Sequence, residues 1–285
     1  MSAAGPVSRF YLAETLAQRH PATATALTDA LRSSGADVAT LSGTRDIWAR
    51  DYMPVLTASG RLVKFRYFPD YLRPKRWHST ITDGATLVQR LGLPYQQCPL
   101  VVDGGNVVSR FGRVLMSDKV LRENPTVPRS QLLTLLANAL EVDRIDLIPA
   151  HPDDFTGHAD GLVQLLDERT ALINDCRRQE PLIWQRLQKA LQRAGFNCVP
   201  LPYNPYQNAD YTSTVGEYIN FLCVGKTLIV PVYQQEEDEA VLRRLEELYP
   251  GFGLVPLDGK AIARQGGVFH CVTWETHCEA FQDFC

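Results

Sequence analysis

The amino-acid sequence predicts a mixed α/β fold. Strand-like runs rich in Val and Ile outnumber helical runs. The two kinds alternate along the whole chain. No low-complexity linker or abrupt change of composition separates them. The 285 residues, 45% hydrophobic and 21% charged, therefore read as one compact domain over residues 1–285 with a sizeable core.

In chain order, apolar residues at three- and four-residue spacing predict a helix over 22–34, followed by strands over Ala36–Leu41, Met53–Thr57 and Leu62–Tyr67. A second helix over 81–91 precedes strands over Leu100–Val102, Val107–Ser109 and Val114–Met116. A third over 129–140 precedes Arg144–Ile148, Leu162–Leu166 and Ala171–Asn174. A fourth over 180–194 leads into Asn197–Leu201, Tyr218–Val224 and Thr227–Val232, and a fifth over 236–248 into Phe269–Thr273. Polar loop motifs punctuate this pattern at even intervals. Asp51, Asp103, His158, Asn220 and Cys271 are separated by 52, 55, 62 and 51 residues. Five modules of about 57 residues would fill the chain, each presenting one chemical group at or beside a strand end, so that residues distant in sequence converge on a shared centre.

Composition narrows the partner. With 29 basic and 32 acidic residues, net charge −3, no global field draws the chain to nucleic acid or an anionic membrane. The basic stretch Arg73–Arg76, with Trp77 and His78, is too short for nucleic-acid binding and reads as a solvated loop or a substrate-entry rim. No apolar run approaches the roughly 20 residues that span a bilayer, and the N-terminus lacks a signal pattern. The expectation is a cytoplasmic protein with a small-molecule partner; a homodimer is compatible with the sequence. Seven cysteines, several in apolar runs, argue for reduced thiols. Cys278 and Cys285 read as tail thiols.

Cys271 stands apart. Residues 265–273, Gln-Gly-Gly-Val-Phe-His-Cys-Val-Thr, place it between a histidine and a short apolar run, where a nucleophile would sit. Upstream, Trp48-Ala-Arg-Asp51 and Gly157-His158-Ala-Asp160 supply carboxylates, and a planar, permanently charged guanidinium needs carboxylates that accept its N–H donors in pairs. Trp48 could wall such a pocket by cation–π contact. The competing reading of Asp51 is a loop carboxylate paired with Arg45 or Arg50. His158 suits general acid and base work, and Asp103, in Asp-Gly-Gly-Asn, could orient it while the glycines let backbone approach the ligand. That motif also fits an ordinary hairpin turn. Asn220, a polar amide within an apolar run, needs a structural partner or a ligand. His151, Asp153, Asp154, His158 and Asp160 cluster in sequence, but their spacing matches no familiar zinc pattern, and no phosphate-loop motif is present. The expectation is no metal and no cofactor.

Taken in order, Trp48-Ala-Arg-Asp51, Asp103-Gly-Gly-Asn106, Gly157-His158-Ala-Asp160, Tyr218-Ile-Asn220-Phe and Gly266-Gly-Val-Phe-His270-Cys271 resemble agmatine deiminases and bacterial peptidylarginine deiminases of the guanidine-modifying superfamily. The resemblance covers nearly the whole chain. It implies the pentein fold, a five-bladed α/β propeller. It also implies hydrolysis of agmatine to N-carbamoylputrescine and ammonia through a covalent thiouronium on Cys271, with His158 as acid and base, Asp103 orienting it, Asp51 and Asp160 holding the cation, and Trp48 and Asn220 in the substrate pocket. Peptidylarginine or free arginine as substrate, and a non-catalytic pentein binder, stand as alternatives. This chain departs from the resemblance where agmatine deiminases usually carry Glu in place of Asp103 and Gly-Gly-Gly-Asn in place of Gly266–Phe269, and it is shorter.

Overall fold

The computed structural model describes residues 8–205 and 212–277. Cys278 and Cys285, and hence the tail reading of these thiols, lie outside the described residues. The chain builds five three-stranded sheets on one plan, an antiparallel pair followed by a parallel pair. The first joins β1 (Ser8–Ala13) in parallel to β2 (Asp37–Leu41), through α1 (Glu14–Arg19) and α2 (Pro21–Ser33). After α3 (Ala49–Tyr52), the second sheet runs β3 (Val55–Leu56), β4 (Leu62–Arg66), α4 (Gly84–Arg90), β5 (Gln96–Val101). The third runs β6 (Val108–Arg110), β7 (Arg113–Ser117), α5 (Lys119–Glu123), α6 (Arg129–Leu140), β8 (Ile145–Ile148). The fourth runs β9 (Val163–Leu165), β10 (Thr170–Asn174), α7 (Pro181–Arg193), β11 (Asn197–Leu201). The fifth runs β12 (Leu222–Val224), β13 (Thr227–Val232), α8 (Glu237–Leu248), β14 (Gly253–Asp258). After α9 (Lys260–Ala263), β15 (Thr273–His277) returns to pair antiparallel with β1 and completes the first sheet.

The plan follows from chain geometry, because antiparallel neighbours join through a short turn whereas parallel neighbours need a crossover, here helical. In each of the five crossovers the last helix is followed by a residue in the left-handed region: Gly35, Gly92, Glu141, Gly195 and Gly251, with φ of 85°, 68°, 59°, 88° and 81°. Four of the five are glycine because a Cβ disfavours that conformation. α4 starts on Asp83, whose carboxylate accepts the backbone N–H groups of Ala85 at 3.0 Å and Thr86 at 3.2 Å. Pro21 and Pro181 open α2 and α7.

The five sheets match the module count read from the motif spacing, and all five predicted helices are present. The differences are local. β1 and β14 were not predicted. The strand expected over Phe269–Thr273 begins only at Thr273; residues 269–272 turn, with the Val272 N–H on the Val268 carbonyl at 3.2 Å. Likewise only Leu222–Val224 of the run from Tyr218 is strand. Buried apolar side chains explain why both runs look like strands: Val268, Phe269, Val272, Ile219 and Phe221 have no exposed surface although none of them lies in a strand. Burial, not pairing, sets that composition. β15 is anchored by Trp274, which stacks on Tyr11 at 5.0 Å and donates its indole N–H to the Pro54 carbonyl at 2.7 Å.

Candidate active site

The seven site residues expected from sequence lie in the segments that precede the first strands of the second to fifth sheets, β3, β6, β9 and β12, and β15 of the first. α3 presents Asp51, and its start is fixed by buried Asp46, which accepts the Trp48 N–H at 3.1 Å. The turn at Gly104–Asn106, after β5, packs on α3 so closely that a Cβ on Gly104 would lie 1.9 Å from the Arg50 carbonyl oxygen. A Cβ on Gly105 would meet His158 Nδ1 at 2.6 Å and Asp51 Oδ1 at 2.7 Å. The glycine pair thus admits the site's own side chains against the backbone, where the sequence suggested admission of a ligand. The hairpin-turn reading of Asp103–Asn106 is replaced by a 3-10 turn. It is tied down by Asn106, whose amide oxygen accepts the Ser117 N–H at 2.8 Å, and by Asp160, whose N–H reaches the Gly105 carbonyl at 3.1 Å.

His158 sits between two carboxylates. Its Nε2 is 2.9 Å from Asp103 Oδ2 and its Nδ1 3.6 Å from Asp51 Oδ1, which also accepts the Gly105 N–H at 3.0 Å. Burial opposes charge on the imidazole, but Asp51 and the hydrogen bond to Asp103 outweigh it and raise its pKa to about 9. The solvated-loop reading of Asp51 is overturned: the side chain is buried, and burial together with Asp103 and Asp160 pushes its carboxyl up to about 6 against the pull of His158.

Cys271 lies in the turn before β15. Its Sγ is 3.3 Å from the Asn220 amide oxygen and 3.8 Å from Asp160 Oδ2, and its N–H donates to the same Asn220 oxygen at 3.3 Å. Asn220, in the turn ahead of β12, also donates to the Asp160 carbonyl at 3.4 Å, so this buried amide has the partners its burial requires. Burial, then Asp160 and Asp51, push the thiol well above its usual range. His270 Nδ1 holds Asp160 Oδ2 at 2.7 Å and, with His158 and Arg50, keeps that carboxyl below its usual range despite burial. A cation placed between Asp51 and Asp160 would cancel the two charges that disfavour the thiolate.

Cys271, His158, Asp160 and Asn220 line one cavity; Asp51 and Asp103 stand behind them. Trp48 packs against the core, and a Cβ on Gly267 would lie 2.6 Å from its ring and 3.1 Å from Cys271 Sγ. It backs the nucleophile turn through Gly267 and does not line the cavity. Of the sequence cluster around residue 151, His151, Asp154, His158 and Asp160 line the same cavity, but His151 Nε2 faces Glu180 at 3.0 Å and Asp154 accepts the Thr156 N–H at 2.8 Å. Sequence reading missed Lys119. Fully buried, it holds Asp103, reaches Glu123 at 3.2 Å and lies 4.8 Å over the Tyr71 ring. In sequence, Lys119 and Glu123 look like an ordinary surface pair one helical turn apart. Tyr71, delivered by the loop that carries Arg73–Arg76, stacks edge-on to His158 at 6.3 Å and to Phe155 at 5.4 Å, so that loop borders the site.

Residues 7–276 match the family model of Porphyromonas-type peptidyl-arginine deiminases. The chain belongs to that family. It is 23% identical to an agmatine deiminase of Pseudomonas syringae pv. syringae over 80% of this chain and 73% of that protein. Relatives from Photobacterium profundum and Shewanella frigidimarina are 21% and 23% identical over 69% and 64% of this chain; the matches span 63% and 58% of those relatives' own lengths. Among solved structures, a C. jejuni agmatine deiminase with substrate bound superposes with a TM-score of 0.75 at 18% identity, over 95% of this chain and 93% of that one. DDAH from Pseudomonas aeruginosa superposes with a TM-score of 0.59 at 13% identity, over 94% and 98%. These likenesses establish the pentein fold for the family member described here. Among the described residues, no helix is long and apolar enough to cross a membrane.

Proposed function

We propose that this protein is a hydrolase of linear amidines that deiminates a guanidino compound, agmatine first among candidates, giving N-carbamoylputrescine and ammonia. The observation that carries the reading is the convergence on one cavity of Cys271, Asp160 and a His158 raised to about 9, with Sγ 3.8 Å from the Asp160 carboxylate. Relatives named agmatine deiminase, one solved with substrate bound, support the substrate class.

Asp51 and Asp160 hold the guanidinium, whose charge lowers the Cys271 pKa and releases the thiolate. Sγ attacks the guanidinium carbon. Protonated His158 gives its proton to the departing nitrogen, the C–N bond breaks, and ammonia leaves a covalent thiouronium. His158, now neutral, takes a proton from water as that water attacks the same carbon. The C–S bond then breaks as the added hydroxyl gives up its remaining proton to solvent, where the released ammonia takes up a proton as ammonium; the ureido product leaves, and sulfur recovers as the thiolate. Asp103, held by Lys119, orients the imidazole for both transfers; Asn220 positions Sγ.

The test is ammonia and ureido-product release from agmatine, arginine, methylated arginines and an arginine peptide. Cys271→Ala is expected to abolish turnover with the fold intact; full activity in that variant would remove the covalent step. The family model carries the name of a peptidyl-arginine deiminase, so turnover of the peptide alone would move the substrate from agmatine to peptidylarginine.

A further inference from the structure

Arg50, the residue before Asp51, takes no part in the steps above, yet it is bound to the nucleophile turn twice. Its backbone N–H donates to the Cys271 carbonyl at 3.1 Å, and its side-chain Nε donates to the His270 carbonyl at 3.3 Å. Its own carbonyl oxygen lies against the Gly104 turn, where a Cβ would stand 1.9 Å away. One residue of α3 thus meets both the turn that carries Cys271 and the turn that follows Asp103. Arg50 does not line the substrate cavity. It lines a second one, with His270, Arg110 and Gln164, and Asp160 and Asn220 line both. A guanidinium bound to Asp160 and the guanidinium of Arg50 would therefore face that carboxylate from two cavities.

The charge of Arg50 matters because of what surrounds the sulfur. Burial pushes the Cys271 thiol up first, then Asp160, from the connection ahead of β9, and Asp51, beside Arg50 on α3; Arg50 pulls the other way. His270 in the same turn, His158 and Glu217 on the cavity wall, and Tyr233 after β13 also stand around it. An arginine keeps its charge throughout the working pH range. We infer that Arg50 is a positioning residue for the nucleophile: it fastens the Cys271 turn to α3 and sets a permanent positive charge beside it. The substrate's own cation is then not the sole charge that favours the thiolate. The inference rests on the deiminase reading above and adds a residue to the same site.

The experiment alkylates Cys271 with iodoacetamide in the natural protein, Arg50→Gln and Arg50→Lys from about pH 6 to 10, read by the mass of the Cys271 peptide. Glutamine keeps an N–H donor for the His270 carbonyl but no charge; lysine keeps both. In Arg50→Gln, alkylation below the thiol's midpoint is expected to slow about 10-fold, the effect of losing one nearby opposite charge, with the profile moved to higher pH. Arg50→Lys should stay within about 3-fold of the natural protein. An unmoved profile in Arg50→Gln, or equal slowing in both variants, would overturn the assignment. With the best guanidine, kcat should fall about 10-fold in Arg50→Gln while KM changes about 2-fold or less; a loss confined to KM would place Arg50 on the substrate and overturn it too. Should Arg50→Gln fail to fold, Arg50→Lys decides, because slowing beyond about 3-fold with the charge kept sinks the inference. Alkylation needs no substrate, so a protein with this profile that turns over no guanidine would remove deimination and keep the role of Arg50.

Discussion

Two histidines in this site each hydrogen-bond one aspartate at 2.7–2.9 Å, yet their charges are pushed in opposite directions. His158, on Asp103, is raised to about 9 because a second carboxylate, Asp51, lies 3.6 Å from its other nitrogen. His270, on Asp160, is lowered: burial disfavours its charge, and Arg50, which donates to the His270 carbonyl at 3.3 Å, opposes the pull of Asp160. The comparison teaches that one hydrogen-bonded carboxylate does not decide the state of an imidazole. The balance of all nearby charges does, and here it favours charge on His158 and disfavours it on His270.

The sharpest way to break the comparison is to remove each ring in turn. His158→Gln is expected to cut turnover of the best guanidine about 10²- to 10⁴-fold, the usual loss for a general acid and base. His270→Gln, which disturbs only the orientation of Asp160, should lose about 10-fold or less. Steady-state rates on the same compound decide it, and comparable losses would mean that both rings move protons.

Next in size is Lys119→Met. Lys119 and Asp103 are both fully buried, so removing the cation strands a carboxylate in the core. Loss of one partner of a buried pair costs about 3–5 kcal/mol. Urea unfolding should show this cost, and adding Asp103→Asn should recover part of it. A shift below about 1 kcal/mol would mean that Asp103 escapes by taking up a proton.

The third prediction concerns pH. Because the folded-state pKa of His158 lies near 9, above its ordinary 6.5, its charged contacts stabilise the fold fully below about pH 6.5 and lose that effect as pH rises through 9. The contribution is on the order of 3 kcal/mol at most, from 1.36 kcal/mol per unit. The stability gap between the natural protein and His158→Gln should therefore narrow from pH 6 to pH 9.5 in parallel denaturation series. A gap independent of pH would show that the imidazole is neutral throughout.

Much of this was legible in the sequence. Motif spacing marked five modules and placed Asp51, Asp103, His158, Asp160, Asn220 and Cys271 near a common centre, because each sits in a connection between strands, Asp51 on the short helix α3, and such connections carry polar residues that the core would exclude. Lys119 was not legible. A lysine one helical turn from a glutamate looks like solvated surface, and only the packing around it shows that it is enclosed. Trp48 was legible as a site residue but not in its place: nothing in the chain order reveals that Gly267 stands between the indole and the cavity. The opening of the fifth sheet was misread for a related reason, since Ile219 and Phe221 are buried outside any strand and burial leaves the same apolar signature as a strand.

Pairing between β15 and β1 has a consequence for synthesis on the ribosome. The turn that mounts Cys271 is held by a strand ending at His277, and that strand docks on residues 8–13. Four sheets can form as they emerge, but the sulfur has no fixed place among Asp160, Asn220 and Trp48 until this last strand is free to reach back. A chain that lacks β15 would thus keep the residues that carry Asp51, Asp103, His158 and Asp160, but the turn that holds Cys271 would lose its tie to residues 8–13.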